Sequence, residues 1–168
     1  MTLRNRITQV LLWLSILTMS IWVGGTVYQM VVVVPQWSAS PPESVRTFFL
    51  GTQYNELIKN FFGPRIMPFR VLPVLGVFLS GWNLKRHRKY FLLMAVCMAA
   101  GLLLTFGYIY PINDVLFTQA GGDHTADEIR AMVSRWVFAD RVRLAIMFVG
   151  FLGLLGALSI PFPTAEVS

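Results

Sequence analysis

The sequence predicts an all-α fold, an integral membrane four-helix bundle with an extra amphipathic helix in the first outer loop. Three observations lead there. Of 168 residues, 55% are hydrophobic and only 13% charged, against about a quarter charged in an ordinary soluble domain. The apolar residues gather into four stretches placed to cross a bilayer. No internal repeat, low-complexity tract or linker divides the chain, so residues 1–168 read as a single membrane domain with spans at about 7–34, 65–84, 90–110 and 141–162.

The first span follows from the absence of charge between Arg6 and Glu43. Residues 7–34 exceed the roughly 20 apolar residues that a crossing needs, and also the ~7–15-residue apolar stretch of a secretory signal. A retained anchor is expected. The second region, 61–84, is interrupted by Arg65, Arg70, Pro64, Pro68 and Pro73. Its clean part, 71–84, is too short to cross at about 1.5 Å per residue, so Arg70 either snorkels to the interface or faces inward. The third span is expected to end or kink at Pro111, and the fourth to begin near residue 141.

Orientation follows from the short loops. Lys85-Arg86-His87-Arg88-Lys89 is the densest cationic cluster, and Arg4 and Arg6 fall on the same side of the bundle. The positive-inside rule makes both termini and this link cytoplasmic, in the cell (inner or plasma) membrane, with loops 35–64 and 111–140 outside. Trp13, Trp82, Tyr90 and Tyr110 near span ends suit the interfacial aromatic belt. Most of the net charge of +6 is thereby explained as orientation, and nucleic acid is not an expected partner. The single cysteine, Cys97, excludes an internal disulfide and a C-x-x-C pair, and with them the quinone-coupled thiol oxidases.

The outer loops carry their own signals. Ser40-Pro41-Pro42-Glu43 has the form of a capping box with proline in the first turn, and Phe49, Leu50, Tyr54, Leu57, Ile58 and Phe61 follow at helical spacing. This is the extra amphipathic helix, lying against the outer face. Thr125-Ala126-Asp127-Glu128 is a second capping box, and no Gly or Pro intervenes before Gly150, so a long fourth helix should project above the bilayer. Gly121-Gly122-Asp123 reads as a turn. Gly150, Gly153 and Gly156 form a small-residue stripe suited to close helix packing.

Polar groups at membrane depth are costly and therefore informative. Met132, Trp136, Asp140, Arg143 and Met147 share one stripe of the fourth helix, which puts an acid and a base on its inward face, whereas Arg141 points elsewhere. Two readings stay open: an i,i+3 ion pair at the membrane edge, or groups that face a ligand. Asn113, two residues after Pro111, would sit at the outer mouth level with Trp136 to Arg143, although Pro-x-Asn-Asp also reads as a helix-end turn. Gln29 shares a face with Thr18, Trp22 and Gly25, Arg65 approaches from the start of span two, and Tyr110 closes span three. Together they outline an outward-facing pocket suited to a flat, phenolic or anionic organic molecule.

No metal or cofactor is expected. His87 and His124 lie on opposite sides of the membrane, and no span carries the carboxylate and histidine set of a di-iron bundle. The eight methionines are dispersed as gap fillers. A phosphate loop and a nucleophile elbow are both lacking.

The long first span closing on a proline, Ser40-Pro41-Pro42-Glu43, Pro111-x-Asn113 and Arg135-Trp136-x-x-x-Asp140-x-x-Arg143 together resemble the anthrone oxygenase-like family of small four-span membrane proteins, most of them uncharacterised. The resemblance covers nearly the whole chain. It implies oxidation of an anthrone to a quinone by molecular oxygen without a bound cofactor. Asn113, Trp136 and Arg143 match the family pattern by position, whereas Asp140 stands where an asparagine is expected. On that chemistry Arg143 and Asn113 would stabilise an enolate-like anion, and Asp140 would accept its proton if it is not held in a tight ion pair with Arg143; Trp136, with Gln29, Arg65 and Tyr110 of the pocket outlined above, would line the substrate.

Two other classes stay open on the residues alone. One is a small-molecule binding or transport accessory protein, although the lack of half-repeats argues against a stand-alone transporter. The other is a structural subunit whose glycine stripe docks another membrane protein. The expected partners are the lipid bilayer and an aromatic small molecule, with self-association or a membrane partner as further expectations.

Overall fold

Helix α1 (Leu3–Tyr28) is capped by Thr2, whose Oγ1 accepts the Asn5 amide, and it runs on through a π turn at Gln29–Val33 into Val34–Ser38. The computed structural model describes residues 2–51, 60–63 and 65–163. A short helix α2 (Glu43–Gly51) folds over the outer end, followed by α3 (Met67–Gly81), α4 (Lys85–Leu104) and α5 (Ala126–Leu158). Like α1, α4 is prolonged, through π turns at Thr105–Ile109 and Asp114–Thr118 with Tyr110–Asn113 between them. Among the described residues there is no strand, and four helical segments are long and apolar enough to cross a membrane. The chain is an all-α four-helix bundle with a short helix in its first outer loop.

Pro111 neither ends nor interrupts the third span. Proline lacks an N–H, and its ring collides with the carbonyl four residues back in an α turn. A π turn closes over one more residue, and one stands immediately ahead of both Pro35 and Pro111, so each helix passes its proline. The first capping box is also corrected. Helix α2 starts at Glu43, too late for Ser40 to be its cap; instead Ser44 Oγ accepts the Ser40 amide at 3.2 Å and donates to the Trp37 carbonyl at 2.7 Å. Of the apolar face assigned to this helix, Phe49 is buried and Leu50 exposed. Tyr54, Leu57 and Ile58 lie outside the described residues.

The second capping box forms as its residues suggest. Glu128 N donates to Thr125 Oγ1 at 3.4 Å, and Thr125 N donates to Glu128 Oε2 at 2.8 Å. Gly121, at φ +89°, makes the turn before it, a conformation that L side chains resist. From that cap α5 runs unbroken for 33 residues, roughly 50 Å at 1.5 Å per residue against a hydrocarbon core of about 30 Å. It is therefore longer than one crossing needs by several turns.

The spanning helices close a ring, α1 on α3, α3 on α4, α4 on α5 and α5 back on α1. The glycine stripe of α5 belongs to this closure. A Cβ at Gly150 would meet Cys97 Cβ and Met94 Sδ at 2.8 Å, and one at Gly156 would meet the Tyr90 ring at 2.7 Å. The stripe thus faces α4 inside the chain. At the inner end Thr8 Oγ1 donates to Ser80 Oγ at 2.9 Å, and Asn5 Nδ2 donates to the Pro163 carbonyl at 3.3 Å. Arg4, Arg6 and the 85–89 cluster accordingly share one end of the bundle. Within that cluster His87 is buried, its Nε2 3.1 Å from the Ile160 carbonyl.

The outer surface is apolar along its length. Leu3, Val10, Leu17, Val31, Phe69, Leu79, Leu103 and Phe138 are all more than half exposed, as lipid-facing side chains are. Ser15, Thr26 and Thr105 inside the bundle, and Ser20 on its surface, donate to the carbonyl four residues back, so no hydroxyl at these positions needs water.

Candidate functional site

The interior divides into two cores. The inner one holds Leu12, Met19, Trp22, Phe91, Met94 and Met147. The outer one is built from the ends of α1 and α4, from α2 and from the first half of α5. Its centre is aromatic: Trp37 packs edge-on to Trp136 with ring centres 5.1 Å apart and to Phe117 at 5.5 Å, and Phe49 stacks on Phe117 at 4.5 Å. Trp136 is 1% exposed, and its Nε1–H donates to Asn113 Oδ1. The outer mouth that the sequence suggests is therefore filled, because α1 and α2 bring Trp37 and Phe49 over it.

A cavity of about 50 Å³ lies one layer deeper. Four elements line it: Met19 and Trp22 of α1, Met67, Arg70 and Val71 of α3, Met98 and Gly101 of α4 with Thr105 of the π turn after it, and Arg143 and Met147 of α5. The walls are mostly apolar, and four methionines can repack around a larger guest. Both arginines stand over one indole, Arg70 with its guanidinium carbon 5.7 Å and Arg143 5.6 Å from the centre of the Trp22 ring.

The seven residues singled out from the sequence do not share one pocket. Arg143 lines the cavity; its Nη2 donates to Asp140 Oδ1 and its Nη1 to Thr105 Oγ1 at 3.3 Å. Asp140 is 0% exposed and lies behind Arg143, with Oδ2 lacking a hydrogen-bond partner. The ion pair and the ligand-facing arginine are thus one arrangement rather than alternatives. Asn113 and Trp136 belong to the outer core, Trp136 roughly two helical turns or 10 Å from Arg143. Tyr110 is half-buried and within electrostatic range of Arg70. Gln29 is buried with Oε1 unpartnered and does not line the cavity, and Arg65 is exposed.

Arg70 takes the place expected of Arg65, and of the two fates open to it in the sequence the inward one holds. Its Nε is enclosed and has no hydrogen-bond partner. Trp22 and Thr105 complete the polar and aromatic surface, neither assigned a ligand role from sequence; the signal for Trp22 was its place on the Gln29 face. Among the described residues no group of three or more His, Cys, Asp or Glu comes together. What the arrangement can do is hold negative charge: two guanidinium groups and one carboxylate meet in an apolar setting.

A family model for anthrone oxygenase matches residues 57–153, more than half of the chain. The match takes in Arg70, Thr105, Asn113, Trp136, Asp140 and Arg143, while Trp22 and Gln29 precede it. No curated protein and no solved structure matches the chain.

Proposed function

The chain belongs to the anthrone oxygenase family, and from that premise we propose that it oxidises an anthrone-type phenolic substrate with molecular oxygen in the cavity at Arg143. The observation that supports this is Arg143 itself, a guanidinium buried at membrane depth that lines an apolar cavity and is backed by Asp140. An arginine so placed stabilises an oxyanion far better than water would, because no solvent must reorganise around it.

Overall, one ring methylene and one molecule of dioxygen become one carbonyl and one molecule of water. Removal of one methylene proton gives an enolate whose oxygen Arg143 holds, and Asp140 Oδ2, which sits behind Arg143 and outside the cavity lining, receives that proton through an intervening water. The carbanionic carbon then bonds to one oxygen atom of dioxygen, which is reduced to a hydroperoxide on taking up a proton. Loss of the second methylene proton expels the distal oxygen as hydroxide, leaving the carbonyl and water. Asn113 and Trp136 act as positioning residues, fixing the outer ends of α4 and α5 so that Thr105 and Arg143 face the cavity. By the positive-inside rule the basic end of the bundle is cytoplasmic and the cavity opens on the outer half.

Oxygen uptake by the protein in phosphatidylcholine nanodiscs, supplied with anthrone, tests the proposal. One dioxygen per quinone formed is expected, with Arg143→Gln slowing turnover about 100-fold or more. Undiminished turnover in that variant would refute the assignment. Asp140→Asn should be slow near neutral pH and recover as the pH is raised, since the substrate then ionises without a base. A uniform loss at every pH would leave Asp140 a structural role only.

A further inference from the structure

The charges around the cavity do not balance. Arg70 and Arg143 both stand over Trp22, and Asp140, already paired with Arg143, is the one fully buried carboxylate among the described residues. Arg70 has no acidic partner among them, and its enclosed Nε has no acceptor. Arg70 is half-buried, and a cation held against an apolar wall without a counter-ion, its enclosed Nε lacking an acceptor, is costly. The surplus is a single positive charge, and the space next to it is a cavity rather than packed side chains.

We propose that Arg70 is a second anion-holding group of this cavity, and that the cavity selects a flat organic monoanion whose charged edge lies between Arg70 and Arg143 against the Trp22 ring. The claim rests on reading the cavity as the substrate site, and it adds which charge state of the substrate the cavity holds most tightly, the ionised one formed there. A monoanion neutralises the cluster, whereas a neutral analogue of the same shape leaves it uncompensated. The flatness follows from the walls, since an indole and two planar guanidinium groups offer faces for stacking. The ring body of the guest is apolar, and the half-buried Met67, Val71 and Leu102 of α3 and α4 mark the lipid-facing side by which it enters. Met67, with Met19, Met98 and Met147, also lets a cavity of about 50 Å³ widen to admit it.

The test compares 2-anthracenecarboxylate with the neutral 2-anthracenecarboxamide, binding to the full chain in phosphatidylcholine nanodiscs, followed by energy transfer from tryptophan. The carboxylate should bind about tenfold or more tightly than the amide, the discrimination that one charge-assisted hydrogen bond supplies. Arg70→Gln should remove that preference, Arg70→Lys, which keeps the charge, should retain most of it, and Arg141→Gln, an exposed cation at a similar depth, should not alter it. Equal binding of the two probes, or a preference that survives Arg70→Gln or falls equally in Arg141→Gln, overturns the proposal. Should Arg70→Gln fail to fold, loss of the preference in Arg70→Lys overturns it as well. Oxygen uptake on the same preparations separates the two readings. A carboxylate preference without uptake retires the oxygenase and leaves the anion site, whereas uptake without a preference retires the anion site alone.

Discussion

Asp140→Ala should destabilise this protein more than Arg143→Met, and the reason is the count of charges around Trp22. The native cluster carries one surplus positive charge. Removing the carboxylate leaves Arg70 and Arg143 facing each other with nothing between. Their guanidinium carbons lie 5.7 and 5.6 Å from one ring centre, so they are at most about 11 Å apart. At an effective dielectric constant of about 20 the repulsion is then at least about 1.5 kcal/mol. The larger part of the loss is the stranded guanidinium, and breaking a buried pair in this way costs about 3–5 kcal/mol. Arg143→Met strands an aspartate instead, which can take up a proton and become neutral as an arginine cannot, so the loss should be nearer 1–3 kcal/mol. The double variant Asp140→Leu/Arg143→Met restores the native surplus of one charge without any pair. It should match or exceed the parent by up to about 1–4 kcal/mol, while oxygen uptake is lost. Titration with dodecyl sulfate in mixed micelles, followed by tryptophan fluorescence, measures all three. A double variant no more stable than Asp140→Ala, or an Asp140→Ala within about 1 kcal/mol of the parent by this scale, would refute the reasoning.

Gly150→Leu should cost about 1–3 kcal/mol in the same titration, because its side chain must displace Cys97 and Met94. Gly24→Ala, where nothing lies within 4 Å of the added carbon, should cost nothing; equal effects would show that α4 and α5 are not in close contact. Thr125→Ala removes the cap of α5 and should cost about 1 kcal/mol, seen in hydrogen exchange as faster amides over residues 126–128 only. Faster exchange along the whole helix would contradict a local cap. Trp136→Phe keeps the ring packing but loses the donor to Asn113, for about 1 kcal/mol and less than a tenfold loss of oxygen uptake. A loss as large as that of Arg143→Gln would place Trp136 in contact with substrate.

The four apolar helices, the gathering of basic residues at one end and the long fourth helix were legible because each depends on local sequence. An apolar run is long enough or it is not, and Thr125 and Glu128 find each other within one turn. The inward stripe of α5 was equally plain, since helical spacing alone puts Asp140 and Arg143 on the side of Met147. What spacing does not give is depth against another helix. Asn113 falls at the Trp136 end of the stretch from Trp136 to Arg143 with which spacing sets it level, although the π turns carry α4 past the proline that was expected to end or kink it. Arg70 could not be assigned from its own span, because its direction depends on Trp22 of a different helix. The filling of the outer mouth was beyond reach for the same reason: it needs α2 folded back and Trp37 carried past Pro35, both tertiary outcomes.

The π turns ahead of Pro35 and Pro111 also let one helix serve two differently phased interiors. Each inserts an extra residue into the winding, so the side of α4 that meets the cavity at Gly101 and Thr105 and the side that meets the aromatic layer at Ile109, Leu116 and Phe117 need not fall on one straight line. The lower layer can thus face Thr105 toward Arg143 while the upper one faces Asn113 toward Trp136, within a single continuous rod.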